Sequence, residues 1–369
     1  MAGKTTKDMT SGSPMKLILG FMIPMLFGFL FQQFYNMMDT IIVGKYLGVT
    51  ALAAVGSTGS INFMIIGFCN GVCSGFAIPV AQKFGEKNES AMRRYVANSG
   101  WLAAVFAVVM TVVVCLLCRN IQTWMRTPED IFDQAYIYIF IIFLGIPATY
   151  LYNMLAGIIR SLGDSTTPLV FLLISSVMNI ILDLFTIIVL KMGVAGAAWA
   201  TVISQGVSGL LCLFYMKKKF TVLKMQGDEW RPHKHSMMIL CGMGIPMGLQ
   251  YSITAIGSMV MQSANNGLGG DYVSAFTAGA KLKQFTMCPF DAIATSVSVF
   301  CSQNYGAGKI DRIHKGLRQG IAVGVGYGLF AGLILIFAGR PLSMIFVSKD
   351  ASGVLDASAK YLRCMGYFY

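Results

Sequence analysis

Between Lys45 and Lys83 the chain carries no acidic or basic residue, and further charge-free windows run from Tyr95 to Cys118, Gln134 to Ile159, Met192 to Met216 and His235 to Gly270. About 20 apolar residues in a helix cover the hydrocarbon core of a bilayer, so each window is long enough to cross it at least once. Only 12% of the 369 residues are charged and 56% are hydrophobic, well below the charge of a soluble domain. The chain is therefore expected to be a polytopic, all-α membrane protein. Helices are predicted near 15–41, 51–81, 95–118, 132–157, 167–190, 194–216, 237–264, 272–301, 314–338 and from 354 onward. The amino-terminal stretch MAGKTTKDMTSGSP is polar, and no signal peptide is read in it.

The net charge of +12 is explained by where the charges sit. Most of the 28 lysines and arginines lie at the amino terminus or in alternate connections: Lys83, Lys87, Arg93, Arg94, then Arg160, then Lys217 to Lys234, then Lys309 to Arg318. The opposite connections hold Lys45, Arg119, Arg126, Lys191, Arg340 and Lys349. Basic loops stay inside, which predicts a cytoplasmic amino terminus in the cell inner membrane. The basic surplus then reads as topology plus attraction to anionic lipid headgroups. No basic stripe with interleaved aromatics suggests a nucleic-acid partner.

The nine cysteines are scattered through apolar segments and read as small apolar residues. The three histidines, His233, His235 and His314, fall in predicted cytoplasmic segments, and no metal constellation can be assembled from them. Neither a Walker A loop nor a nucleophile elbow is present. The chain is therefore not expected to be an enzyme or to need a cofactor.

The sequence also repeats itself. GFMIPM at Gly20–Met25 returns as GMGIPM at Gly242–Met247, 222 residues later. AQKFGEKN at Ala81–Asn88 is answered at an offset of 221 by SQNYGAGK at Ser302–Lys309, and Tyr138 with Ile139 at an offset of 223 by Tyr361 with Leu362. A shared spacing of this kind marks a structural repeat. Six helices precede the second copy, so the chain returns to the same side before repeating, and the halves are parallel repeats about the membrane normal. The expected layout is a six-helix bundle over 1–216, a cytoplasmic linker over 217–235, and a second bundle over 236–369 that holds four helices of six.

An aspartate in hydrocarbon is costly and is a functional candidate by default. Three qualify: Asp39, Asp183 and Asp291. Gln32, Tyr35, Asn36 and Asp39 fall at i, i+3, i+4 and i+7, on one face of the first helix. Asn179 and Asp183 are one turn apart in MNIILDLF. Both carboxylates are expected in the outer half of the first bundle, with Thr201 at a similar level. Two carboxylates in a poorly hydrated cavity cannot both ionise easily, which is the chemistry of a proton carrier. The competing reading has Asp39 ending the first helix in water, beside the turn signals Gly44 and Gly48. Asp291 shares its helix with Lys281 and Lys283, and Lys283 is about 12 Å away along the axis, too far for a direct pair. A role in a second site and a solvated cavity wall both stay open there. Arg160 reads as an anchor at the cytoplasmic surface.

At this point the residues resemble the multidrug and toxic compound extrusion (MATE) transporters, through DTIIVGKYLG, IPVAQKFGEKN, GIIRSLGDSTTP, MNIILDLF, GVAGAAWATVISQ and SQNYGAGK in that order. The resemblance implies two six-helix bundles around a central cavity, exporting organic, often cationic, compounds in exchange for H⁺ or Na⁺ by alternating access. Within the family the chain is most similar to the DinF-like branch. That branch implies an ion-coupling pocket of Asp39, Asn179, Asp183 and Thr201, with Gln32, Tyr35, Tyr138 and Asn153 at neighbouring substrate-binding positions; Asn36 is added from its helix face. The NorM-like branch carries a glutamate where LQYSITAIG has Thr254, a departure that favours a first-half site and H⁺ while leaving Na⁺ open. The implied partners are small organic molecules and membrane lipids, with the chain a monomer. Rival expectations are a flippase for a lipid-linked substrate and a membrane scaffold or receptor.

Overall fold

The computed structural model describes residues 7–125, 127–266, 270–344 and 352–369; Arg126 and Lys349 lie outside the described residues. The long elements are α1 (Pro14–Leu47), α2 (Val49–Ser57), α3 (Gly59–Gly85), α4 (Glu89–Trp124), α5 (Glu129–Leu144), α6 (Ile146–Ser161), α7 (Thr166–Leu184), α8 (Val194–Lys219), α9 (Lys234–Asn266), α10 (Gly270–Gly306), α11 (Ile310–Ser343) and α12 (Ser352–Gly366), with no strand among the described residues. Eight helices are long and apolar enough to cross a membrane, or nine if α5 and α6, bent by 45°, form one span.

Several helices run longer than the sequence reading, α4 and α11 at both ends, and three departures have a local reason. α1 continues to Leu47 and stops at Gly48, whose φ of 88° suits glycine. Gly44 lies within the helix, where a Cβ would press on Leu52 of α2 at 3.2 Å. The segment expected as one helix over 51–81 is two, α2 and α3, separated at Thr58. The segment expected over 132–157 breaks at Gly145, ahead of Pro147, whose ring cannot donate to the turn before it. At that break a Cβ on Gly145 would collide with Val202 of α8, so glycine allows the bent pair to approach.

Small residues join the two halves. Gly67 of α3 faces Tyr251 of α9, Gly71 faces the backbone of Met247 and Gly248, and Gly75 faces Gly244. This spacing of small residues lets two helix backbones approach closely in a membrane. α1 packs along α10 through Phe21 and Met25 against Ala292, Val299 and Phe300, and Phe34 meets Phe285 edge-on at 5.6 Å.

The repeat is visible in the backbone itself. A Cβ at Gly85 would collide with the Gln303 carbonyl, and one at Gly306 with the Gln82 carbonyl. Gly85 corresponds to Gly306 and Gln82 to Gln303 at the repeat offset of 221, so each contact is the image of the other and the ends of α3 and α10 cross about a pseudo-two-fold axis. The turns that follow also correspond, with Lys87 at φ 59° and Gly308 at φ 68°.

The end bearing Gly85 and Gly306 also carries the lysine-rich connections and is called the basic end. There the segment between α8 and α9 lies fastened to α4. Arg93 reaches Glu229 through Nε at 2.7 Å and Nη2 at 3.0 Å, and the pair is nearly buried. The guanidinium pulls the Glu229 carboxyl down to about 2. His233 N–H donates to Asn98 Oδ1 at 2.7 Å, and Trp101 Nε1–H to the Trp230 carbonyl at 3.0 Å.

Candidate ion-coupling site

α7 is apolar apart from a short polar series, and within it Asn179 and Asp183, one turn apart, are fully buried. The Asn179 amide, oriented to suit its neighbours, donates from nitrogen to Asp183 Oδ2 at 2.9 Å and accepts from the Thr201 N–H at 3.2 Å. Thr201, on α8, also accepts a hydrogen bond from Tyr35 Oη at 3.3 Å. Three helices, α1, α7 and α8, are thus stitched together by one series of hydrogen bonds that passes through the Thr201 hydroxyl and backbone N–H.

Asp39 stands one turn beyond Tyr35 on α1, eight residues before the helix ends. The extended α1 removes the helix terminus that would have put Asp39 in water, and its Oδ1 is buried without a hydrogen-bond partner. Asp183 Oδ1 is likewise buried and unpartnered. The two carboxylates lie within electrostatic reach of each other, and Tyr138 of α5 lies within reach of both. Unsatisfied carboxylate oxygens in such a place are expensive. They create a site whose cost falls when a proton or a small cation binds.

Directly after Asp183 the backbone widens into a π turn over Phe185–Val189. Thr186 Oγ1 donates to the Leu182 carbonyl at 2.8 Å, and Gly196 leaves room for Thr186 at the start of α8. π turns occur often at functional sites, and nothing in the hydropathy of LFTIIVL marks this one. Gln134 likewise carries no mark in the sequence that sets it apart from a glutamine on a solvated helix face. It lies one turn before Tyr138 on the same face of α5, with a buried, unpartnered Oε1.

The other expected positions fall outside this chain of contacts. Gln32 is half-buried on the Asp39 face, whereas Asn36 is exposed. Asn153 turns its amide back onto the Thr149 carbonyl of its own helix at 2.9 Å. On α10, Lys281 and Asp291 are exposed and Lys283 is half-buried. No ion pair joins them among the described residues, as their spacing implies, and Asp291 instead lies within electrostatic reach of Tyr251 on α9. Among the described residues no group of three histidine, cysteine or acidic side chains could hold a metal ion.

Comparison with known proteins bears on the whole chain. The MatE family model matches residues 24–185 and 246–369. The probable multidrug resistance protein YpnP of Bacillus subtilis is 29% identical over 369 residues, covering 98% of this chain and 80% of that protein. The probable multidrug resistance protein YoeA of the same organism is 28% identical, covering 89% of this chain and 73% of its own length. Among solved structures, an outward-facing multidrug resistance MATE family transporter of the MOP superfamily superposes with a TM-score of 0.91 at 23% identity, over 99% of this chain and 82% of that one.

Proposed function

From the premise that the chain belongs to the MatE family, a family of transporters and not of enzymes, we propose that it is a proton-coupled antiporter exporting organic compounds across the cell membrane. In this reading the basic end faces the cytoplasm, the chain acts as a monomer, and Asp39 with Asp183 carries the coupling ion. The observation that supports it most is the pair of buried carboxylates on α1 and α7, each with an unpartnered oxygen and within reach of the other's charge. Binding one proton there removes the repulsion and much of the desolvation cost.

Because the pocket spans three helices through Asn179, Thr201 and Tyr35, loading it alters how α1 sits against α7 and α8. A bound ion can drive export only if it favours one of two arrangements over the other. An inside-negative potential adds about 2.3 kcal/mol per charge per 100 mV in favour of proton entry.

Transport by the purified protein in proteoliposomes, under separately imposed H⁺ and Na⁺ gradients, tests the assignment. Asp183→Asn is expected to abolish H⁺-driven substrate exchange; transport at the parent rate would remove Asp183 from the mechanism. If a Na⁺ gradient alone drives exchange, the same carboxylate, amide and hydroxyl oxygens hold Na⁺ instead, as oxygen ligands suit a hard cation.

A further inference from the structure

Residues 7–13 precede α1 without regular secondary structure and thread between the two halves at the basic end. Lys7 N–H donates to the Leu162 carbonyl at 3.1 Å, on the first half. From there the contacts pass to the second half. Met9 N–H donates to Gln303 Oε1 at 2.9 Å. The Met9 carbonyl accepts from Asn304 Nδ2 at 3.1 Å and Arg312 Nη2 at 3.2 Å. Lys309 Nζ donates to the Thr10 carbonyl at 2.8 Å, and Arg312 Nη1 to the Gly12 carbonyl at 2.9 Å. The Met9 side chain is wholly buried and packs with Ile18, Phe21 and Phe300.

One amide ties the arrangement together. Gln303, fully buried, accepts from Met9 and donates through Nε2 to the Ser161 carbonyl at 2.8 Å. It therefore joins the strap, the end of α6 and the end of α10. Asn304 supports it by accepting from Arg312 Nε at 2.9 Å through Oδ1. Gln82 holds the equivalent place in the repeat, and among the described residues no comparable strap is hydrogen-bonded to its side chain. The bridge is an addition to the two-fold design and is not required by it.

We propose that the strap formed by Lys7–Gly12 is a releasable latch, with Gln303 as its pin. It holds the two halves together at the basic end and must come free before a central cavity can open on that side. A helix keeps its backbone bonds when it moves. The strap's backbone is instead satisfied largely by partners on the two halves, so it can let go as a unit and be re-solvated by water. Among the described residues its only internal side-chain bond is Thr10 N–H to Asp8 Oδ1 at 2.7 Å. Release of the latch would then set how often the basic end opens. The direction of opening rests on the transport reading above, but the latch itself is tested without it.

Spin labels at Lys218→Cys and Lys315→Cys, exposed residues of opposite halves at the basic end, in a Cys364→Ser background, report their separation by pulsed electron resonance with no substrate or ion gradient. Gln303→Leu keeps the side-chain volume but removes both bonds. It is expected to raise the population with separated ends by about tenfold, the effect of losing two net hydrogen bonds of modest strength. An unchanged distance distribution in folded Gln303→Leu protein would overturn the latch. A second arm leaves Gln303 intact: Thr10→Cys and Lys309→Cys, joined by a cleavable bis-maleimide linker, are expected to cut transport at least tenfold until the linker is cleaved. Linked protein that transports at the cleaved rate would show that the strap need not move. Failure of the ion assignment leaves the distance result standing, so the two proposals fail separately.

Discussion

Asp183, Asn179 and Thr201 form the part of the candidate site whose proximity one-dimensional spacing could anticipate. The i, i+4 pair on α7 fixed a common face, and depth along two antiparallel helices brought Thr201 to it. Asn36 shows where that argument loses resolution. Successive helical residues turn about 100°, so Asn36 lies that far around α1 from Tyr35, and the polar chain to Thr201 leaves from the Tyr35 side. Asn153 is a polar residue that satisfies itself within its own helix, a use that spacing does not separate from a role in a pocket. Thr201→Val keeps the side-chain shape and removes the acceptor for Tyr35. It is expected to lower transport about three- to tenfold, the worth of one net hydrogen bond, while Thr201→Ser retains most of it. Initial rates in proteoliposomes compare the two; equal loss in both would mean that packing of the methyl group, not the hydroxyl, matters.

At the scale of elements, the charge-free windows located the spans and concealed their breaks. Thr58 and Gly145 interrupt stretches that are apolar on both sides, so hydropathy runs through them without a mark. The π turn after Asp183 is hidden for the same reason. The glycines of α3 and α9 became meaningful only once the helices were seen face to face. Gly75 has the backbone of Met243 and Gly244 against it, and Gly75→Leu should force the pair apart. Overpacking of this kind costs about 2 kcal/mol. A lowered melting temperature of the purified protein in detergent would be the sign. Unchanged melting would mean that α3 and α9 are free to separate at that level without loss. Gly59, with open space around it, provides the control.

For the whole molecule, the repeat in the sequence corresponds to a reciprocal crossing of α3 and α10, where Gly85 meets Gln303 and Gly306 meets Gln82. What the repeat could not disclose is its asymmetry, because the strap before α1 and the segment before α9 are attached differently. The strap bonds across to the second half. The segment before α9 is pinned to the first half by Glu229 on Arg93. Polar residues such as Asp8, Thr10 and Gln226 look like ordinary surface composition in the sequence, and only their partners show what they brace.

That fastening of the interbundle segment bears on whether the peptide connection is needed at all. Lys224 lies exposed between two short 3-10 turns, while the chain on either side is gripped by α4 through Val222 and Glu229. Cutting after Lys224 should therefore leave both pieces in one particle, held by the α3–α9 and α1–α10 seams. Two separately encoded polypeptides, 1–224 and 225–369, are expected to co-purify from a single membrane when only one carries an affinity tag. Recovery of the tagged piece alone would show that covalent tethering, and not the seams, keeps the halves together.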